Sequence, residues 1–297
     1  MKPLTCELSS WTYFDIIGTD SEKFLQGQLS INAFKINQQQ AGLAAVCNHK
    51  GRVVSLFYIY RIDAGFRIIL PDDISQSTIT HLKKYAVFFK VTIQAESALQ
   101  QLFATNHLTS EDLDVNTSLI KINLTDFSIF IKDKKTFESQ SGLNQPTTIQ
   151  SISHQSITLQ PSDSIWYWHL ANQAIPWLSP DTVEAFLPHD LNLPKLDAVD
   201  FNKGCFTGQE IIARMQYKGK LKQHMHLFSC PQDLSIKPKD SIVQLEKKVA
   251  EIICRISLGT TNESQETLIL ALLKDRADKE QTFQLNLKNS PILELVK

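Results

Sequence analysis

The rhythm of apolar and polar positions divides this 297-residue chain into stretches of different character. In the first, "FDIIG" (14–18) reads as a strand running into a turn at Gly18. "TDSEKFLQGQL" comes next with a helical period at Phe24, Leu25, Gln28 and Leu29, and Asp20 stands as its N-cap. "LAAVCNHKGRVVSLFYIYR" predicts two strands around a turn at Asn48–Gly51, where Gly51 supplies a positive φ. A second hairpin turns at "DAG" (63–65), and "ISQSTITHLKKYAVFFKVTIQ" predicts a helix to about Tyr85 and then a strand. Residues 95–160 form a second, less regular stretch, rich in Ser, Thr and Gln, read as strands and surface loops. Residues 165–187 predict a short helix broken by Pro176 and Pro180. "GQEIIARMQYKGK" predicts a helix with Ile211, Ile212 and Met215 on one face and Gly219 at its end. After about residue 222 the period becomes two: "VAEIICRIS" sends Ala250, Ile252, Cys254 and Ile256 to one side, with "TLILALL" and "TFQLNL" beyond it. Short strands with polar turns predict a small β-barrel or sandwich as a separate C-terminal domain.

Composition narrows the function classes. Thirty basic and thirty-one acidic residues leave a net charge of −1. A broad nucleic-acid surface needs excess positive charge to displace counterions, so no stable nucleic-acid binding is expected. The one basic cluster near the chemistry-bearing motif is "YKGKLKQH" (217–224), which reads as a solvated face. The longest apolar run, "LILALL" (268–273), is far short of the roughly 20 residues of a spanning helix and reads as a buried strand. "MKPLTCELSS" lacks an apolar core of signal-peptide length. Cys6, Cys47, Cys205, Cys230 and Cys254 are odd in number and widely spaced. They make neither a disulfide framework nor a zinc or iron–sulfur pattern, which points to a reduced cytoplasmic protein with no metal site.

The chemistry concentrates in "KGCFTGQE" (203–210). Lys203 is placed to stabilise a thiolate on Cys205, as are the N–H groups that open the next helix. Gly204 and Gly208 remove side chains, so another backbone or a flat ligand can come close. The competing reading is a tight loop in which Cys205 is merely small and packed. A Cys–His pair needs a base within reach, and His189 and His224 are nearest in sequence. His224 and His226 alternate on a strand, but two histidines without a third ligand do not make a metal site. No phosphate-binding or dinucleotide glycine motif occurs. Trp11, Trp166, Trp168 and Trp177 are either core residues or platforms for a planar heterocycle.

"GTDSEKFLQGQLS" (18–30), "HKGRV" (49–53), "LKKYAVFFKVTI" (82–93) and "LPHDLNLPKLDAVDFNKGCFTGQEIIARMQYKGK" (187–220) resemble the YgfZ-type folate-binding proteins. That group includes bacterial tRNA-modification factors and mitochondrial iron–sulfur assembly relatives, and is related to the T-protein of the glycine cleavage system. The resemblance covers about 11–93 and 166–222. It implies an α+β fold of three domains around a central hole: residues 1–221 as a folate-binding region of two intertwined α+β domains, and 222–297 as a β-barrel. It also implies tetrahydrofolate or a derivative as ligand. Trp11 and Trp166 would stack on it, with Trp168 a rival to Trp166. Gly204, Gly208, Gln209, Glu210 and Arg214 would line its site, and Cys205 with Lys203 would do the chemistry.

Departures from the pattern shape the functional expectation. T-proteins carry an acidic pair after the glycine turn that corresponds to Gly51, whereas "GRVVSL" has no acid. General acid–base aminomethyl transfer cannot run through a missing carboxylate. Leu29, Ser30, Ile31 and Asn32 stand where relatives read L-T-x-D, Ala174 where they show glycine, and Asn172 where some place glutamate. The resemblance therefore implies an accessory factor for iron–sulfur enzymes and tRNA-thiolating enzymes; a monomer is expected. The alternatives are a folate-dependent one-carbon transferase and a non-catalytic folate-sensing module.

Overall fold

The computed structural model describes residues 5–95, 100–106, 118–122, 128–133, 148–149, 157–160, 163–232, 236–258, 266–286 and 291–296. Much of the expected loop-rich stretch between 95 and 160 lies outside them. The chain forms two compact units, each assembled from separated segments.

The first unit takes Met1–Phe24, Phe34–Gly42 and Phe57–Trp166. Its elements begin with β1 (Thr5–Glu7), β2 (Trp11–Ile17) and α1 (Ser21–Gln26). Next come β3 (Gln40–Cys47) and β4 (Val53–Ile62), each shared with the second unit, then β5 (Gly65–Pro71), α2 (Ser75–Ala86) and β6 (Thr92–Ala95). The later strands are β7 (Gln100–Thr105), β8 (Ser118–Ile122), β9 (Ser128–Asp133), β10 (Thr148–Ile149) and β11 (Ile157–Gln160). The strand order is β10-β11-β1-β7-β9-β8-β3-β4-β5-β2-β6. Central strands lose both faces to packing, so their sequences are almost continuously apolar; Val53–Tyr60 of β4 is buried throughout. One charge pair enters this sheet on paired positions of β2 and β5. Asp15 lies opposite Arg67, whose Nε and Nη2 donate to its two carboxylate oxygens at 2.7 and 2.8 Å. Asp20 stands just before α1, and its carboxylate accepts the Lys90 N–H at 2.8 Å, tying the turn before β6 to the helix start.

The second unit takes Leu25–Ala33, Leu43–Leu56 and Tyr167–Lys297. Helix α3 (Ser164–Asn172) passes into it from the first, and α4 (Gln209–Lys218) lies within it. The remaining strands are β12 (Gln223–Cys230), β13 (Ser241–Gln244), β14 (Lys247–Leu258), β15 (Glu266–Lys274), β16 (Phe283–Leu285) and β17 (Ile292–Leu295). These close a barrel in the order β12-β15-β14-β13-β16-β17, and β17 returns to β12 through Phe228–Leu295. Its interior holds Phe228, Ile242, Ala250, Ile252, Ala271 and Phe283, among others. The whole chain is thus α+β with a closed C-terminal barrel. Among the described residues, no helix is long and apolar enough to cross a membrane.

Three local expectations need correction. Strict alternation along "VAEIICRIS" fails, because the β14–β15 register shifts between Ile252 and Cys254. The extra residue of a bulge turns the next part of the strand to the other face, and Cys254 lies outside the interior cluster that holds Ala250 and Ile252. Helix α3 ends before the prolines rather than at them. Ala174 adopts φ 54°, Ala174 N donates to Ala171 O and Ile175 N to Leu170 O, both at 2.9 Å; this is a Schellman end. On α4, Ile212 is buried but Ile211 is exposed; Gly219 ends the helix as expected, in extended backbone.

Candidate functional site

The octet 203–210 is held by residues far away in sequence. The Lys203 ammonium donates to three backbone carbonyls, Gln26 O at 2.7 Å, Leu29 O at 2.6 Å and Ile31 O at 2.9 Å. It lies 5.0 Å from the centre of the buried Phe206 ring. Burial pushes its pKa down to about 8, against the opposing pull of Asp200. The three carbonyl dipoles also favour the charged form. An ammonium has three donors, so none remains to hydrogen-bond the Cys205 sulfur. The expected partnership of Lys203 with Cys205 is corrected to that extent: the side chain is a structural staple.

Thr207 N donates to Gly27 O at 3.2 Å, and Asp200 N to Ser30 O at 2.9 Å. The Ser30 hydroxyl gives its proton to Ala198 O at 2.6 Å and accepts from Ala45 N at 2.8 Å. Gly208 closes the loop at φ 83°. A Cβ there would lie 2.5 Å from Asn48 O and 2.9 Å from Gly51 Cα, while a Cβ on Gly51 (φ 71°) would lie 3.1 Å from Ile211 Cβ. Gly208 is thus fixed by contact with the 48–51 turn, whose Asn48 Oδ1 accepts from Lys50 N and Arg52 N. Gly204 differs: the nearest atom to a Cβ there is Gln26 Nε2 at 4.0 Å, and its φ is ordinary.

On this braced loop Cys205 is exposed, while Cys6, Cys47, Cys230 and Cys254 are buried. Burial pushes Cys6, Cys47 and Cys254 up to about 12, so those thiols stay protonated and inert. Gln209 is half-buried, and Glu210 and Arg214 are exposed on α4. Neither suggested histidine is given over to Cys205. His189 Nε2 meets Gln216 Oε1 at 3.2 Å and burial pulls its pKa down; His224 Nε2 meets Asp275 Oδ1 at 3.4 Å. No group of three metal-ligating side chains occurs among the described residues.

Two of the four tryptophans cluster in the first unit. Trp11 and Tyr58 lie with ring centres 6.2 Å apart and planes 28° apart; Trp11 and Trp166 meet edge to face at 5.9 Å. Tyr58 and Trp166 are 6.2 Å apart. Trp166 has no exposed surface and Trp11 is 7% exposed, so both indoles are buried. Trp168 and Trp177 are half-buried, and Trp177 packs on Tyr167 at 4.7 Å.

No family model matches the sequence. Curated relatives match over most of the chain. The tRNA-modifying protein YgfZ of Buchnera aphidicola subsp. Schizaphis graminum (strain Sg) is 30% identical over 294 residues, covering 95% of this chain and 91% of that protein. The protein of the same name from Klebsiella pneumoniae (strain 342) is 31% identical over 242 residues, 76% and 72% of the two chains. That from Aliivibrio fischeri (strain MJ11) is 28% identical over 293 residues, 94% and 87%. The chain belongs to the YgfZ family. Among solved structures, the glycine cleavage system aminomethyltransferase T of Bartonella henselae aligns with a TM-score of 0.70 over 98% of this chain and 84% of its own, at 13% identity. That likeness establishes a T-protein-like fold.

Within this YgfZ-family chain the sequence departures acquire physical content. The Ser30 hydroxyl bridges Ala198 and Ala45. Ala174 keeps the left-handed turn that glycine makes more cheaply. Sequence reading missed two participants. The carbonyls of Gln26, Leu29 and Ile31 are backbone atoms and carry no side-chain signal. Tyr58 lies in an unbroken apolar run, and nothing in that run marks its hydroxyl.

Proposed function

We propose that this protein is a tetrahydrofolate-binding accessory factor that supports iron–sulfur enzymes and the tRNA modification, thiolation included, that depends on them. Cys205 is its working thiol. The observation that carries this reading is the exposure of Cys205 on a loop pinned at Lys203, Thr207 and Gly208, when the other four cysteines are buried. An exposed thiol on a stiff support is available to carry sulfur or a one-carbon adduct; a merely packed cysteine needs neither exposure nor bracing. The names of the relatives support the tRNA-modification half of the reading.

The residues of the first unit suit a folate. Trp11, Tyr58 and Trp166 form one buried aromatic cluster, and the Tyr58 hydroxyl has no protein partner among the described residues. A flat heteroaromatic ring with polar edges matches that set. Tetrahydrofolate, when bound, supplies a nitrogen that takes up one-carbon units. Lys203 acts by holding the loop through its three backbone carbonyl partners.

The test is complementation of a strain lacking the gene. Cys205→Ser should leave expression and thermal stability unchanged yet fail to restore tRNA thiolation and iron–sulfur enzyme activity. Full restoration by that variant removes the thiol from the mechanism.

A further inference from the structure

Tyr58 is 1% exposed, and its hydroxyl has no hydrogen-bond partner among the described residues. Leaving such a group unpaired costs about 1–3 kcal/mol. A phenylalanine would fill the same volume beside the two indoles without that cost. The hydroxyl is therefore a feature that packing does not explain. Its ring centre lies 6.2 Å from both Trp11 and Trp166, so it is a polar handle within an otherwise aromatic cluster.

We infer that Tyr58 is the polar anchor of the folate site, its hydroxyl hydrogen-bonding a nitrogen or oxygen on the edge of the flat ring once the Trp11 indole turns aside. This rests on the folate reading above. Trp11 is the displaced member because it keeps the most surface, 7% against 1% for Tyr58 and none for Trp166. The two indoles supply contact that any flat ring could use. The phenol supplies discrimination, since a site built around a hydrogen bond rejects a ring that cannot make it.

Calorimetric titration of the full chain with tetrahydrofolate, wild type beside Tyr58→Phe, tests the inference, together with thermal melts of both without ligand. The variant should bind about tenfold more weakly, the size of one net hydrogen bond, and should melt at or above the wild-type temperature. Equal affinity of the two proteins overturns the anchor and leaves the folate reading standing. A variant that melts well below wild type also overturns it, because the hydroxyl then serves the fold. Failure of the wild type itself to bind overturns both.

Discussion

Two glycines in one octet have opposite physical standing, and the difference can be measured. Gly208 sits at φ 83° with Asn48 O where a Cβ would go. Gly208→Ala combines left-handed strain of about 1–2 kcal/mol with a backbone clash of similar size, and should lower unfolding stability in urea by about 2–4 kcal/mol. Gly204→Ala meets nothing nearer than Gln26 Nε2 at 4.0 Å and should leave the urea midpoint within experimental scatter, while reducing complementation by crowding the ground beside Cys205. The motif announces a special loop in the sequence, but not the division of labour within it. Lysine beside cysteine suggests thiolate tuning, and the structure directs the Lys203 ammonium to three carbonyls instead. The partners of a backbone atom have no letter code, so that arrangement is out of a sequence's reach.

At the scale of elements, legibility tracks periodicity. The hairpin around Asn48–Gly51, the helix ending near Tyr85, and the strands after residue 222 are plain because their apolar spacing is regular. The differences fall where one residue changes the phase: the bulge at Ile253, and the end of α3 at Ala174. The latter carries a prediction. The left-handed position costs alanine about 1–2 kcal/mol, and glycine gives back about 0.5–1 kcal/mol of that as lost chain entropy. Ala174→Gly should thus stabilise the protein by about 0.5–1 kcal/mol, read as a higher melting temperature with no change at Cys205.

For the whole molecule, the sequence rhythm points to a change of architecture near residue 222, and the closed barrel begins at Gln223. All six barrel strands come from one continuous stretch and close on themselves through β12 and β17. Residues 222–297 expressed alone should therefore melt in a single cooperative transition by circular dichroism. A broad, non-cooperative melt would show that the barrel depends on the rest of the chain. The tryptophan cluster is legible only as residue types; which rings cover which is set by strand pairing across the first unit, and no local pattern encodes it.

The Lys203 staple joins atoms separated by 172 to 177 positions along the chain. During synthesis on a ribosome, the carbonyls of Gln26, Leu29 and Ile31 emerge long before the amine that satisfies them. The segment 25–33 must wait in a provisional state, exposed to chaperones and proteases, until the last third of the polypeptide arrives to lock it.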